Sequence, residues 1–486
     1  MGNGWMRDLA FHYESIRDTH PLSEIMIVFD IDGTVLDERY LVLSVLRSYD
    51  RRHSTSCFEN LRAEDITSSP GELDSMLKDF GIGPGARRDI LAWFFENLFT
   101  ADSVKAAQVP CKGVLDVIRW FQLQERTVVG LNTSRPEALR RETLEILNGL
   151  GSRYRVGFES ALMFMNQGMG AREAKVEGIR FFQSLGYVVA AVIDSDTANL
   201  EALQRYEGSR DILLVHSDLM WDRPHAEEAR PWHPGNPCDI TDLVREEDLP
   251  SSVEFAWHGV DEESVLRQFL VSPVNWAELH VRRHPTSGRL VLRRRSYAEV
   301  PLLPHEHCPE LDDFLYLIFE AGRGVKLDLK DPGLAPPVVA SLASMGYTED
   351  RVWFSLSIED AMRGGLRAIC EAFPGAVKQC PVDPLWRSIM FAPHDARRRL
   401  HALSEAGIDR YSVDWNTPGS REIVVSLQNW GYEVNIYNVP DLESFLQAVL
   451  LLPASVTSYF NFPKWFYTGC ADDFPQAYPR LAAMSA

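Results

Sequence analysis

Residues 25–37, IMIVFDIDGTVLD, decide the fold of the first half of this chain. The apolar run 25–29 passes without a break into Asp30, and a run so short and uniform reads as a buried strand of a parallel sheet. Asp30 and Asp32 stand at the strand's carboxyl end with Ile31 between them, so the two carboxylates share one side while Ile31 faces the other. A glycine turn follows at Gly33. In open α/β sheets that edge is where ligands bind. There one carboxylate can attack phosphorus to form an aspartyl-phosphate, and the other can protonate the departing oxygen and later activate water.

Working outward, similar apolar runs occur at 127–131 (TVVGL) and 188–193 (VVAAVI), separated by stretches whose apolar residues recur at helical spacing, 113–123 (GVLDVIRWFQL) and 138–147 (ALRRETLEIL). That alternation predicts a doubly wound α/β domain. The interval from about 38 to 108 departs from the rhythm. It carries the helical pattern 89–99 (DILAWFFENLF) and the turn-rich GIGPG at 81–85, and reads as an inserted helical cap whose aromatics Trp93, Phe94 and Phe95 form its own core.

The segment resembles the haloacid dehalogenase (HAD) superfamily of phosphohydrolases, whose first signature is an apolar strand followed by Asp-x-Asp-Gly-Thr; the resemblance covers roughly residues 20 to 247. It implies Asp30 as nucleophile and Asp32 as acid and base, with Gly33 and Thr34 on the substrate side. In VVGLNTSRP, Thr133 matches the hydroxyl residue that holds the phosphoryl group. Lys175, in REAKVEGI, stands where the family keeps its phosphate-neutralising lysine, and Asp194, in VIDSDTANLEAL, matches an acidic metal ligand. The implied cofactor is Mg²⁺, a hard cation suited to Asp30, Asp194 and the main-chain carbonyl of Asp32. Many relatives place consecutive acids here, whereas this chain has Asp194, Ser195 and Asp196. The serine either weakens metal affinity or shifts a ligand role to Asp196. Arg135 either orients phosphate or caps the next helix, and Asn199 reads as packing near the site.

From 218 to 252 the chain is rich in Pro, Trp and acid, as expected of an irregular edge and a linker, which places a boundary near 250 between domains 1–247 and 253–486. Beyond it, apolar runs at 253–257, 276–281, 324–329, 352–356 and 410–413 alternate with helical segments such as 311–320 (LDDFLYLIFE) and 440–451 (PDLESFLQAVLL). The pattern fits a (β/α) barrel of the TIM type. EFAWHGVDEES, NWAELHV, GVKLDLKD and SYFNFPKW resemble the phosphatidylinositol phospholipase C-like phosphodiesterases, most of all the glycerophosphodiester phosphodiesterases and menorin-type domains. The resemblance implies His258 as an acid or base, Glu278 and Asp328 as ligands of a second divalent cation, and Lys330 beside the phosphate. Two positions depart from it. His280 replaces the acid of a Glu-x-Asp metal motif, and Arg294 stands in GRLVLRRRSY where relatives place the second histidine. A guanidinium holds phosphate but exchanges no proton near neutral pH. His284, His305 and His307 are the remaining histidines considered for that role, and the run 293–295 is either an anion site or a polar strand end.

The whole chain has 486 residues, 45% hydrophobic and 24% charged, ordinary for a soluble globular protein and long enough for two cores. Lys+Arg number 49 against 69 Asp+Glu, a formal charge of −20 that opposes broad attraction to nucleic acid. Cysteines at 57, 111, 238, 308, 370, 380 and 470 show no paired zinc spacing and read as reduced, hence cytoplasmic. MGNGWMRDL lacks a long apolar stretch, and Met6 stands where a myristoylation signal takes Ser or Thr, so neither export nor a membrane span is expected. The expected function is a Mg²⁺-dependent phosphomonoesterase, acting on a small phosphorylated substrate, joined to a phosphodiester-handling barrel. That barrel either cleaves a diester, binds one without cleaving it, or transfers it to an internal alcohol. Oligomeric state is left open.

Overall fold

The computed structural model describes residues 5–217 except 68 and 107, together with 233–235, 238–303 and 306–460. The chain divides into two compact units, Met1–Arg245 and Glu246–Ala486. No helix among the described residues is long and apolar enough to cross a membrane.

Unit 1 is built on strands β1 (Ile25–Phe29), β2 (Thr127–Pro136), β3 (Met163–Asn166), β4 (Val188–Asp194), β5 (Leu213–Ser217) and β6 (His233–Gly235), in the sheet order β3-β2-β1-β4-β5-β6 with all pairings parallel. This is the doubly wound sheet that the apolar runs predict. Within the stretch read as an irregular edge, β6 instead adds a parallel strand, while 218–232, 236 and 237 lie outside the described residues. The sheet also carries a helix the apolar runs did not reveal, Trp5–Thr19, which buries Trp5, Met6, Leu9, Tyr13 and Ile16 and bonds its Tyr13 hydroxyl to Thr127 Oγ1 at 2.6 Å.

The cap consists of the helices Glu38–His53, Leu73–Asp79, Pro84–Asn97 and Ala101–Ala106. Asp37 starts the first by accepting the Arg39 main-chain N–H, and Pro84 opens the third at a position where no amide hydrogen is needed. The cap has a core of its own around Val42, Leu46, Phe58, Leu77 and Phe94. Of the three aromatics assigned to that core, Phe94 is fully buried and Trp93 packs against it, but Phe95 is 59% exposed. Consecutive helical residues point about 100° apart, so one face cannot bury all three.

Unit 2 contains strands β7 (Glu254–Trp257), β8 (Trp276–Arg283), β9 (Leu290–Leu292), β10 (Gly324–Leu329), β11 (Val352–Ser355), β12 (Val377–Pro381), β13 (Arg410–Asp414), β14 (Glu433–Val439) and β15 (Ser455–Ser458). All but β9 are parallel neighbours in a closed eight-stranded barrel, completed by the pairings β15–β7, β7–β8 and β8–β10; β9 adds antiparallel to β8. At the amino ends of the strands, Trp276 stacks on Trp353 with centroids 3.9 Å apart. A Cβ on Gly324 would fall 2.5 Å from the Trp276 ring, so only glycine lets β10 enter there. Above this plug the barrel interior is polar: Lys326 donates to Thr457, Thr457 and Ser455 donate to Asn435, and Arg410 donates to Ser455.

Candidate active sites

The order of the first sheet reverses direction between β1 and β4, the place where open α/β sheets bind ligands. Asp30 follows β1 there and Asp194 ends β4. Lys175, on the helix Ala171–Ser184, bridges them, with Nζ 2.6 Å from Asp30 Oδ1, 2.9 Å from Asp194 Oδ2 and 2.6 Å from the Asn132 carbonyl. All three side chains are buried. Burial opposes the Lys175 charge, but Asp194 and Asp30 hold its pKa above the usual value. Burial also pushes Asp30 up to about 7, the pull of Lys175 being offset by the charges of Asp194 and Asp32.

The neighbouring residues divide between chemistry and scaffold. Asn199 donates to Asp194 at 3.1 Å, so it orients a candidate ligand as well as packing. Asp196 accepts from Ala198 N–H and caps the helix Thr197–Arg205, and Ser195 donates to the Asp32 carbonyl at 3.0 Å. Gly33, at φ 83°, shapes the turn, and its N–H is bound to the Leu36 carbonyl rather than offered to a substrate. Thr34 Oγ1 is buried with no hydrogen-bond partner among the described residues, and Thr133 Oγ1 accepts the Arg135 main-chain N–H. An orphaned hydroxyl costs about 1–3 kcal/mol, which an anionic oxygen would offset.

Two further residues bear on the site: Arg135, read from the sequence as orienting phosphate or capping a helix, and Glu38, which the motifs did not bring forward. Arg135 is fully buried and clamps Asp32, with Nε 2.8 Å from Oδ2 and Nη2 2.6 Å from Oδ1. Each Asp32 oxygen accepts one of these bonds and keeps a second lone pair, so Arg135 fixes the carboxyl's orientation and leaves it able to exchange a proton. Glu38, first residue of the cap's opening helix, has its pKa raised well above normal by desolvation and then by the charges of Asp32, Asp30 and Asp196. With Glu38 left out because it holds its proton, the carboxyls of Asp30, Asp32, Asp194 and Asp196 still outnumber Lys175 and Arg135. An all-oxygen, net-negative site of this kind fits Mg²⁺.

The Asp30 shift gives a sign. Below about pH 7 the protonated carboxyl neither attacks phosphorus nor ligates a cation, so protons and Mg²⁺ compete. Should Asp30 serve as nucleophile and metal ligand, the acidic limb of any phosphate release should move to lower pH as Mg²⁺ is raised, read from pH–rate profiles at two metal concentrations. A limb that does not move would separate Asp30 from the metal.

In the barrel, His258 follows β7 and Glu278 lies on β8; Glu278 Oε2 meets His258 Nδ1, and its Oε1 lies 2.8 Å from Lys326 Nζ. His280 is oriented by Asp261, whose Oδ2 lies 2.5 Å from Nδ1. Burial disfavours the His280 imidazolium, yet Asp261, then Glu278 and Asp328, keep its pKa above normal. Lys330 pairs with Asp328 at 2.5 Å. His258, Glu278, His280, Lys326, Asp328 and Lys330 line a cavity of about 280 Å³. Gln379, on β12, reaches the same cavity with both amide atoms buried and unpartnered among the described residues.

The remaining candidates separate. Arg294 lines the cavity and donates to the Tyr459 hydroxyl at 2.7 Å. Arg293 turns away, paired with Glu306 at 2.7 Å and lying over the Tyr297 ring, so the run 293–295 is not one anion surface. His284 accepts N–H groups within its own turn, His307 is exposed, and His305 lies outside the described residues. The described cysteines are all free, and Cys470 lies outside that set.

No family model and no curated protein matches the chain. Among solved structures, it is similar to a glycerophosphodiester phosphodiesterase from Parabacteroides distasonis (12% identity, 48% of this chain and 99% of that one, TM-score 0.32). It is also similar to a HAD-hydrolase from Bacillus subtilis bound to magnesium (14% identity, 46% and 97%, TM-score 0.28) and to a HAD family hydrolase from Deinococcus radiodurans with bound phosphate and sodium (14% identity, 40% and 80%, TM-score 0.25).

A cation fits the barrel on chemical grounds. With Nδ1 held by Asp261, His280 presents Nε2 3.9 Å from Glu278 Oε2 and 3.9 Å from Asp328 Oδ2, a nitrogen and two carboxylates around one point. His258, Glu278 and His280 also bring ligand atoms within 4.8 Å of one another. Imidazole suits Zn²⁺ better than Mg²⁺ or Ca²⁺. Calorimetry should therefore show tighter binding of Zn²⁺ than of Mg²⁺ at this site, and His280→Asp should turn the preference toward Mg²⁺. Equal affinities in parent and variant would exclude His280 as a ligand.

Proposed function

We propose that residues 1–247 are a Mg²⁺-dependent phosphomonoester hydrolase working through an aspartyl-phosphate on Asp30, and that residues 253–486 bind and process a phosphodiester. The observation that carries the first part is the bridge of Lys175 between Asp30 and Asp194 at the sheet's switch point. Asp30 supplies the attacking oxygen and Lys175 steadies charge beside it, while the orphaned Thr34 hydroxyl is free to donate to a phosphoryl oxygen. Mg²⁺, held by Asp30 and Asp194, would neutralise the phosphoryl group, since this chemistry needs positioning and charge more than covalent steps. Asp32, held by Arg135, is the carboxyl placed to handle the leaving group's proton.

The barrel reading rests on His258, Arg294 and Lys330 lining one cavity with the carboxylates of Glu278 and Asp328. Its product, a monoester, belongs to the substrate class of the first site, which gives the fusion a chemical logic. The substrates are small and phosphorylated; the charge of −20 works against a polyanion such as nucleic acid. The test is phosphate release from a panel of monoesters, and alcohol release from a panel of diesters, by the full chain with Mg²⁺ and Mn²⁺. No phosphate from any monoester would end the first assignment, and no alcohol from any diester the second. One observation favours a barrel that binds without cleaving: Arg294 occupies the place of a proton-exchanging histidine.

A further inference from the structure

We propose that Tyr459 is the barrel's second proton-transfer group, giving the leaving alcohol its proton while Arg294 receives the charge left on the phenolate. The inference rests on the diester reading above. Tyr459 follows β15, the strand paired with β7, and so comes to the carboxyl rim beside His258, which follows β7. Their rings meet edge to face, with centroids 4.7 Å apart and planes at 76°. The Tyr459 oxygen accepts from Arg294 Nη1 at 2.7 Å. That bond uses a lone pair of the hydroxyl and leaves its hydrogen free to donate elsewhere.

The other candidates for the role are engaged. The Tyr437 hydroxyl donates to Asp383 at 2.6 Å, Lys330 is held by Asp328, Lys326 by Glu278 and Thr457, and His280 has its Nδ1 held by Asp261 and its Nε2 turned to the point between Glu278 and Asp328 where a cation fits. Among the described residues His258 Nε2 has no hydrogen-bond partner, and both His258 and Arg294 line the cavity. Tyr459 is not itself a wall of that cavity; its hydroxyl reaches the rim through its bond to Arg294, which with His258 does line it. Arg294 exchanges no proton itself; it stabilises the conjugate base of a neighbour that does.

The step balances. As a water oxygen bonds to phosphorus, His258 Nε2 takes one of its protons. The bond from phosphorus to the leaving oxygen breaks with its electron pair going to that oxygen, which takes the Tyr459 proton. The phenolate stays beside Arg294 until the imidazolium returns a proton to it through solvent, leaving monoester and free alcohol.

A leaving group that needs no proton separates this role from a structural one. The test uses the full chain carrying Asp30→Asn, so that only the first ester cleavage is read, with glycerophosphocholine and bis(p-nitrophenyl) phosphate as probes. Tyr459→Phe should lower kcat on glycerophosphocholine, whose leaving alkoxide is strongly basic, by about 10²–10⁴-fold. Turnover of bis(p-nitrophenyl) phosphate, whose leaving phenolate is stable unprotonated, should fall far less. Should the variant melt well below its parent, Arg294→Gln, which removes the phenolate's partner, should show the same split between probes. Equal losses on both probes, or no loss on glycerophosphocholine, would overturn the role of Tyr459 and leave the diester reading standing. If the parent cleaves neither probe with Mg²⁺, Mn²⁺ or Zn²⁺, both fall together.

Discussion

Asp30→Asn is expected to cut phosphate release from monoesters by about 10⁴-fold or more, the scale on which enzymes lose rate when a nucleophile is removed. The amide has nearly the shape of the carboxyl but attacks phosphorus poorly, and it withdraws a charge from the Mg²⁺ site. Stability should change little. The Asp30 carboxyl already has a pKa near 7 because it is buried, so a neutral group in its place is tolerated, and Lys175 keeps Asp194 at 2.9 Å. Asp32→Asn should lose less, about 10²–10⁴-fold, because it removes proton transfer and not the attacking oxygen. Steady-state phosphate release and a thermal melt of each variant check both parts. Turnover of Asp30→Asn within tenfold of the parent would place the nucleophile elsewhere.

The sequence shows the first site more fully than the second, and the reason lies in how each is built. Strands β1, β2 and β4 are buried on both faces, so they appear as continuous apolar runs, and Asp30 and Asp194 stand at their ends. In the barrel, β12 (VKQCP), β14 (EVNIYNV) and β15 (SVTS) point alternate residues into a polar interior. Their inward Gln379, Asn435, Ser455 and Thr457 break up the apolar signal that would have marked a strand. Partnerships across long sequence separations are hidden for a different reason. Arg135 meets Asp32 over 103 residues and Arg294 meets Tyr459 over 165, and no local spacing encodes either contact. The motif SYFNFPKW put Tyr459 in view, but only the pairing of β15 with β7 brings it beside His258. Asp261 was nearer to hand, three residues after His258 in EFAWHGVDEES, where a carboxylate able to orient a ligand histidine is a recognisable partner.

Glu278→Gln is the barrel substitution with the largest expected effect, because one carboxylate there serves both folding and chemistry. Glu278 is buried against Lys326, His258 and His280. Burial alone would raise its pKa, but Lys326, His258 and His280 hold it well below the ordinary value of 4.5. A depressed carboxylate contributes stability that is fully present above that ordinary value and is lost as pH falls below it, so the pair supports the barrel throughout the neutral range. The amide leaves the buried Lys326 ammonium without its counter-charge, which costs about 3–5 kcal/mol. It also removes a candidate metal ligand and the partner of His258 Nδ1, so diester cleavage should disappear. A second change separates the two consequences. Lys326→Met added to Glu278→Gln removes the stranded charge and should restore most of the lost stability, since contacting residues are not additive. It should restore no turnover, because neither the carboxylate nor its hold on His258 returns. Urea melts that monitor the barrel, run beside the diester assay, measure both. Unchanged stability in the single variant would mean the Glu278–Lys326 pair is not what balances the charge inside the barrel, and recovered turnover in the double variant would take Glu278 out of the chemistry altogether.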